Sequence, residues 1–176
     1  MIDKDELLFV VDENNLPLAP KPRKEVHSKG IWHRSSHIWV VNSQNQILCQ
    51  KRSKLKDKFP GFWEPYFGGN LEPGEDYLEG AVREGNEELN LGIKKEDLKF
   101  FKIFKSEIAR EFISVYFFRL KDRIGKIIFE KSEVDRIKWF DFSKLKEILA
   151  RRDREWVDVG YTLEALMWLE TSFLKK

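Results

Sequence analysis

Gly68-Gly69-Asn70-Leu71-Glu72-Pro73-Gly74-Glu75 runs into Asp76-Tyr77-Leu78-Glu79-Gly80-Ala81-Val82, then Arg83-Glu84-Gly85-Asn86-Glu87-Glu88-Leu89. Asp76 and Glu79 have the spacing of a capping box, so a helix starts near Asp76. Leu78, Ala81, Val82, Gly85 and Leu89 recur at i, i+3, i+4, i+7 and i+11 and give that helix one buried face. Glu84, Glu87 and Glu88 fall at i, i+3 and i+4, on one side of it. Like charges so placed repel, and the helix macrodipole disfavours anions toward the C-terminal end. A divalent cation resolves both conflicts, and Mg²⁺ prefers such hard oxygen ligands. Three glutamates alone favour a solvated acidic face, since such clusters are common on helices; the surrounding pattern has to change the odds. Arg83 is spaced to pair with Glu79 or Glu87 and so to orient a ligand carboxylate. The preceding glycines let backbone approach a metal or phosphate closely.

Outward from this helix the chain reads as strands. Glu6 to Asp12 is expected as a strand closed by Asp12-Glu13-Asn14-Asn15, and Pro17, Pro20 and Pro22 as an extended, loop-like stretch. His37 to Asn42 and Gln46 to Arg52 flank Ser43-Gln44-Asn45 as a hairpin. Phe62 to Phe67, Lys99 to Lys105, Glu111 to Leu120 and Ile137 to Phe140 are further expected strands. Ser143 would cap a helix through Leu149. Thr162 to Phe173 closes the chain as an amphipathic helix with Leu163, Leu166, Met167 and Glu170 in register. Strands interrupted by one helix and followed by others predict an α/β fold, a mixed β-sheet covered on both faces.

The 176 residues suit a single domain spanning 1–176. Lys+Arg 32 against Asp+Glu 30 leaves net +2, which does not point to nucleic acid. No apolar run reaches the roughly 18 residues of a membrane span, and the acidic start lacks the order of a signal peptide. Cytoplasmic location is therefore the expectation. Cys49 is the one cysteine, which rules out an intramolecular disulfide and a cysteine-rich zinc cluster.

Gly69, Glu75, Arg83, Glu84, Glu87, Glu88 and Leu91 fall at the spacing of the pattern G-x5-E-x7-R-E-U-x-E-E-x-G-U, with U aliphatic. The chain thus resembles the Nudix hydrolases over a box at 69–91. Two positions depart from it. Gly85 stands where an aliphatic residue is usual, on the buried face, where it can admit a large neighbour; Asn90 replaces the closing glycine and can serve as a left-handed cap, unless Gly92 does. The resemblance implies an α/β/α sandwich with a central metal-binding helix. It implies Mg²⁺, with Mn²⁺ as substitute, held by Glu84, Glu87, Glu88 and the Gly68 carbonyl. It also implies hydrolysis of a small-molecule diphosphate, and a homodimer as the family-level expectation. Glu84 is the first choice of general base, with Glu88, Glu111 and Glu133 as further candidates.

Glu25 to Arg34, Gln50 to Ser53 and Pro60 to Trp63 look like the branch that contains isopentenyl-diphosphate isomerases and their hydrolase relatives. By that likeness Arg52 and Lys56 contact the substrate diphosphate, and His33 takes a structural or substrate-contact role. Isomerisation is the rival activity, but Gly68 stands at the catalytic cysteine position and Asn70 at the box histidine. A diphosphate-binding domain without turnover is the third reading.

Overall fold

The computed structural model describes residues 6–56, 58–120, 127, 129 and 131–173. A two-residue strand, β1 (Leu7–Leu8), pairs antiparallel with β2 (Lys21–Pro22). The expected strand from Glu6 to Asp12 is shorter than the sequence suggests; beyond β1 only isolated bridges at Val10 and Val11 continue it. The stretch that follows the prolines is not extended throughout. It holds a helix, α1 (Arg23–Lys29), with Pro22 at the N-cap, Glu25 paired to Lys21 and Lys29, and Gly30 closing it at φ 62°. Pro22, which lacks an N–H, stands just ahead of this helix and the left-handed Gly30 just past it.

The main sheet is built from β3 (His33–Val41), β4 (Gln46–Arg52), β5 (Trp63–Glu64), β6 (Phe67–Asn70), β7 (Leu98–Ser106), β8 (Glu111–Arg119) and β9 (Val134–Asp141). It runs β5-β4-β3-β8-β7, with β6 also on β3 and β9 also on β4. β3 and β8 are parallel from His33↔Glu111 to Val41↔Arg119; the other pairs are antiparallel. The stretch expected as one strand from Phe62 to Phe67 is two, β5 and β6, broken at Pro65, which cannot donate to the ladder. β4 pairs with the far end of β3, while β6 pairs with residues 35–38 nearer its start.

Three helices cover the sheet: α2 (Tyr77–Leu89), α3 (Phe142–Ala150) and α4 (Thr162–Ser172). Side chains alternate across β3 and β8. Ile38, Val40, Tyr116 and Phe118 meet Ala81 and Leu89 of α2. Trp39, Val41, Val115 and Phe117 meet Leu145 of α3 and Leu166 and Leu169 of α4. Asp141, not Ser143, is the N-cap of α3. The buried stripe of α4 is Thr162, Ala165, Leu166 and Leu169; Leu163 and Met167, expected inside, are 38% and 54% exposed. No helix among the described residues is long and apolar enough to cross a membrane.

Candidate active site

α2 begins as its sequence dictates. The Asp76 carboxylate accepts from the Glu79 N–H at 2.8 Å, and Glu79 reaches back to the Asp76 N–H. It ends at Asn90, whose φ of 50° makes it the left-handed cap. Gly85 faces the sheet, where a Cβ would lie 2.6 Å from the Ile38 Cδ1. The backbone therefore takes the space that an aliphatic side chain would fill.

Arg83 organises the turn before the helix. Its guanidinium donates to both Glu75 oxygens at 2.9 and 3.0 Å, to the Asn70 carbonyl at 3.0 Å, and to Glu84 at 2.9 Å and Glu87 at 3.3 Å. Its principal partner is thus Glu75, eight residues earlier. Glu79, a sequence candidate for this pairing, goes to Lys95 instead, at 2.8 Å.

Glu84 and Glu88 are sunk toward the sheet, whereas the Glu87 side chain is 61% exposed. Burial pushes the Glu84 carboxyl up to about 7, against the opposing pull of Arg83. Glu88 is pushed up to about 8 by burial and then by the Glu84 charge, against the Gly68 N–H, which donates to it at 2.7 Å. The sequence reading enlisted the Gly68 carbonyl; the contact present is through its N–H. A Cβ on Gly69 would sit 2.6 Å from a Glu84 oxygen, so main chain and carboxylate touch here. Among the described residues no three His, Cys, Asp or Glu side chains are gathered closely enough to hold an ion as they stand; Arg83 and the Gly68 N–H hold the carboxylates. The donor set nevertheless fits a hard divalent cation, because burial penalises the charge of both Glu84 and Glu88, and the Glu84 charge penalises Glu88 further.

These carboxylates open into a cavity of about 680 Å³ that also receives Arg52, Lys56, Lys58, Glu111 and Glu133. Arg52 donates to the Lys58 carbonyl at 3.0 Å and pairs with buried Glu64 at 2.9 Å, which keeps its guanidinium charged and fixed. Lys56 is ion-paired to Glu133. Glu111 accepts from Ser35 at 2.9 Å and lies 3.3 Å from Lys58 and 3.4 Å from His33 Nε2. His33 and Lys58 together outweigh burial and hold the Glu111 carboxyl well below the usual carboxylate range. His33 is buried behind Glu111, off the cavity lining, with Nδ1 2.8 Å from the Ile31 carbonyl.

Glu84, Glu87, Glu88, Gly68, Arg52, Lys56 and Glu111 thus share one cavity, with Arg83 on its rim and His33 behind its wall. Sequence reasoning missed Glu64, Tyr66 and His37, which also line it. One signal was present: β3 opens on five polar residues, His33-Arg34-Ser35-Ser36-His37, before the apolar Ile38-Trp39-Val40-Val41, and Ser35, Ser36 and His37 are buried with polar partners.

A mixed sheet lies between helices, with carboxylates crowded on α2 and the cationic side chains of Arg52, Lys56 and Lys58 lining the same cavity. The NUDIX domain family matches residues 32–159, and the chain belongs to the Nudix hydrolases. It is similar to an uncharacterized Nudix hydrolase of Clostridium acetobutylicum, 33% identical over 155 residues, 83% of this chain and 75% of that one. It is also similar to Nudix hydrolase 3 of Arabidopsis thaliana, 32% identical over 148 residues; these cover 78% of this chain but only 19% of that longer protein. Among solved structures, the protein DR0079 of Deinococcus radiodurans shares the fold at TM-score 0.70, with 24% identity over 92% of this chain and 98% of its own. A bifunctional NMN adenylyltransferase/ADP ribose pyrophosphatase of Francisella tularensis, complexed with AMP and a Mn ion, matches at TM-score 0.57 and 21% identity, covering 78% of this chain and 41% of that one.

Proposed function

We propose that this enzyme hydrolyses a diphosphate linkage in a nucleoside-diphosphate or related diphosphate derivative, using Mg²⁺, with Mn²⁺ as substitute. The observation that carries this is the buried pair Glu84 and Glu88 facing Arg52 and Lys56 across one cavity. Glu84, Glu87, Glu88 and the Gly68 carbonyl would hold the ion. When bound, the ion neutralises phosphate charge and lowers the pKa of water.

The chain's own residues supply the rest. Arg52, fixed by Glu64 and the Lys58 carbonyl, presents a planar donor fork suited to a phosphate. Lys56 adds a point charge once phosphate replaces Glu133 as its partner. Arg83 ties Glu84 and Glu87 to Glu75 and the Asn70 carbonyl, so it positions ligands without touching substrate. Glu84 remains the first choice of general base. Glu111 is ionised but weakly basic, which suits it to orient a water or a substrate hydroxyl rather than take a proton.

Within the family, the likeness at residues 25–34, 50–53 and 60–63 supports the branch of isopentenyl-diphosphate isomerases and their hydrolase relatives. Isomerisation itself is disfavoured: at position 68, where φ is +134°, any Cβ would meet the Ser36 carbonyl oxygen at 2.0 Å, leaving no room for a thiol. Cytoplasmic location and a homodimer belong to the same proposal. The test is phosphate or monophosphate release with and without Mg²⁺, over nucleotide, sugar-nucleotide and isoprenoid diphosphates. Metal-dependent release that drops strongly in Glu87→Gln supports the proposal. Equal turnover of a confirmed substrate by variant and wild type defeats the site assignment. Ligand-induced thermal stabilisation with no turnover would instead mark a binding domain.

A further inference from the structure

Another cavity, of about 340 Å³, lies between the end of α3 and the start of α4 and shares no lining residue with the one that receives the α2 carboxylates. The two helix ends that meet there differ. α3 is closed: the Glu147 and Leu149 carbonyls accept from the N–H groups of Arg151 and Arg152, both at 3.1 Å. α4 starts open. Its N-cap, Tyr161, gives no side-chain cap, and among the described residues the N–H groups of Thr162, Leu163 and Glu164 have no acceptor. Free N–H groups at a helix start carry the positive end of the macrodipole and favour anions.

Thr162 points to a ligand independently. It lines the cavity and is only 5% exposed, yet its hydroxyl has no hydrogen-bond partner among the described residues. The hydroxyl oxygen is not sealed inside the protein, so a ligand can reach it. Arg152 and Arg154 line the same cavity, and among the described residues neither guanidinium has an ion-pair or hydrogen-bond partner. Asp153 and Asp158 line it too, each with one oxygen held by main chain, the Glu155 and Gly160 N–H groups, both at 2.9 Å. Leu149, Trp156 and Leu163 add apolar surface. The Trp156 side is fixed from behind by β5, where Trp63 donates to the Glu155 carbonyl at 2.7 Å and Val157 donates to the Trp63 carbonyl at 2.9 Å.

We propose that this cavity is a binding site for a small organic carboxylate carried on an apolar body. The carboxylate accepts from the first N–H groups of α4 and from the Thr162 hydroxyl, and the body rests on Trp156 and Leu163. Two arginines balance two aspartates, so the positive excess is that of the helix start, about half a charge. A singly charged carboxylate matches that excess better than a phosphate dianion does. An uncharged ligand leaves the N–H groups without a charged acceptor, and a bare ion leaves the apolar surface wet. The site stands apart from the diphosphate-hydrolase proposal, since it uses none of those residues.

The experiment titrates benzoate, phenyl phosphate and benzyl alcohol into the isotope-labelled full chain and follows backbone amide resonances. Benzoate should move the Thr162, Leu163 and Glu164 amides to saturation, with a Kd about tenfold or more below that of benzyl alcohol. Thr162→Val keeps the side-chain shape without the hydroxyl and should weaken benzoate about two- to tenfold; Arg154→Ala should weaken it as well. Shifts that never saturate, or that are equal for benzoate and benzyl alcohol, overturn the proposal. So does a benzoate affinity unmoved in both folded variants. Should Thr162→Val not fold, Arg154→Ala, whose side chain is exposed, decides alone. Tighter binding of phenyl phosphate than of benzoate overturns the choice of carboxylate. The Gly68, Gly69 and Asn70 amides report the other cavity separately, and Arg52→Ala should leave the benzoate affinity at α4 unchanged.

Discussion

The two faces of the sheet are built on opposite principles. Against α3 and α4 lie large rings: Trp39, Phe117 and Tyr161 are at most 1% exposed, and Phe117 stacks on Trp168 at 4.9 Å. Against α2 the sheet sets Ile38, Val40 and Leu48 beside the rings of Phe67, Tyr116 and Phe118. The helix answers with small residues, Gly80, Ala81 and Gly85 turned inward, and with buried carboxylates at one edge. Aromatic burial contributes stability, whereas burying Glu84 beside Glu88 opposes it. A site that must bring main chain against carboxylates has to use small residues. Its destabilisation is offset across the sheet.

That division gives predictions of decreasing size. Phe117→Ala should cost about 3–5 kcal/mol in urea unfolding, while the folded fraction keeps wild-type turnover; a loss below about 1 kcal/mol would deny the α4 face its role. Glu88→Gln should lower kcat about 10²–10³-fold, the scale of losing one preorganised electrostatic group, yet leave the metal-free protein as stable as wild type or more so by about 0.5–2 kcal/mol. Marked destabilisation by Glu88→Gln would show that the carboxylate stabilises the fold after all.

The same burial predicts a pH slope. Without metal, Glu84 and Glu88 titrate near 7 and 8 in the folded chain against 4.5 for an ordinary glutamate. Between about pH 4.5 and 8 the folded state holds more protons than the unfolded, so stability falls as pH rises through that window. Mg²⁺ at 100 times its Kd should restore about 2.7 kcal/mol at pH 8. Thermal melts across pH, with and without Mg²⁺, check both statements, and Glu88→Gln should flatten both responses.

How much of this was legible in the sequence follows from the range of each interaction. The α2 cap, its carboxylate face and the left-handed Asn90 rest on contacts within a few residues, and spacing alone exposes them. Arg83 was legible only as a local pair. Its bidentate partner Glu75 is reached because the glycine turn folds back, which helical spacing does not encode. The α4 register failed because apolar residues surround that helix, so Leu163 and Met167 looked as buriable as Ala165 and Leu169. The polar side of the cavity depends on β3 and β8 running parallel, which sets Ser35 against Glu111 across 76 residues. No local pattern announces such a pairing.

Gly85→Ala should be the smallest of these effects and the finest test of the contrast between the faces. An added methyl would sit 2.6 Å from Ile38 Cδ1 and 3.0 Å from Ile93 Cδ1, both far ends of flexible side chains. Alanine favours a helix interior over glycine by about 1 kcal/mol, and mild overpacking opposes that by about 1–3 kcal/mol. The net change should therefore stay within about 2 kcal/mol, with kcat within about twofold, because the contacts fall on the terminal Cδ1 atoms of Ile38 and Ile93 and no carboxylate is among them. Gly68→Ala gives the opposite case: its methyl meets backbone oxygen at 2.0 Å where no rotation can relieve it, and φ is +134°. If Gly85→Ala proved as damaging as Gly68→Ala, the α2 face would be as tightly fitted as the aromatic one, and its glycine would serve packing rather than the approach of helix to sheet.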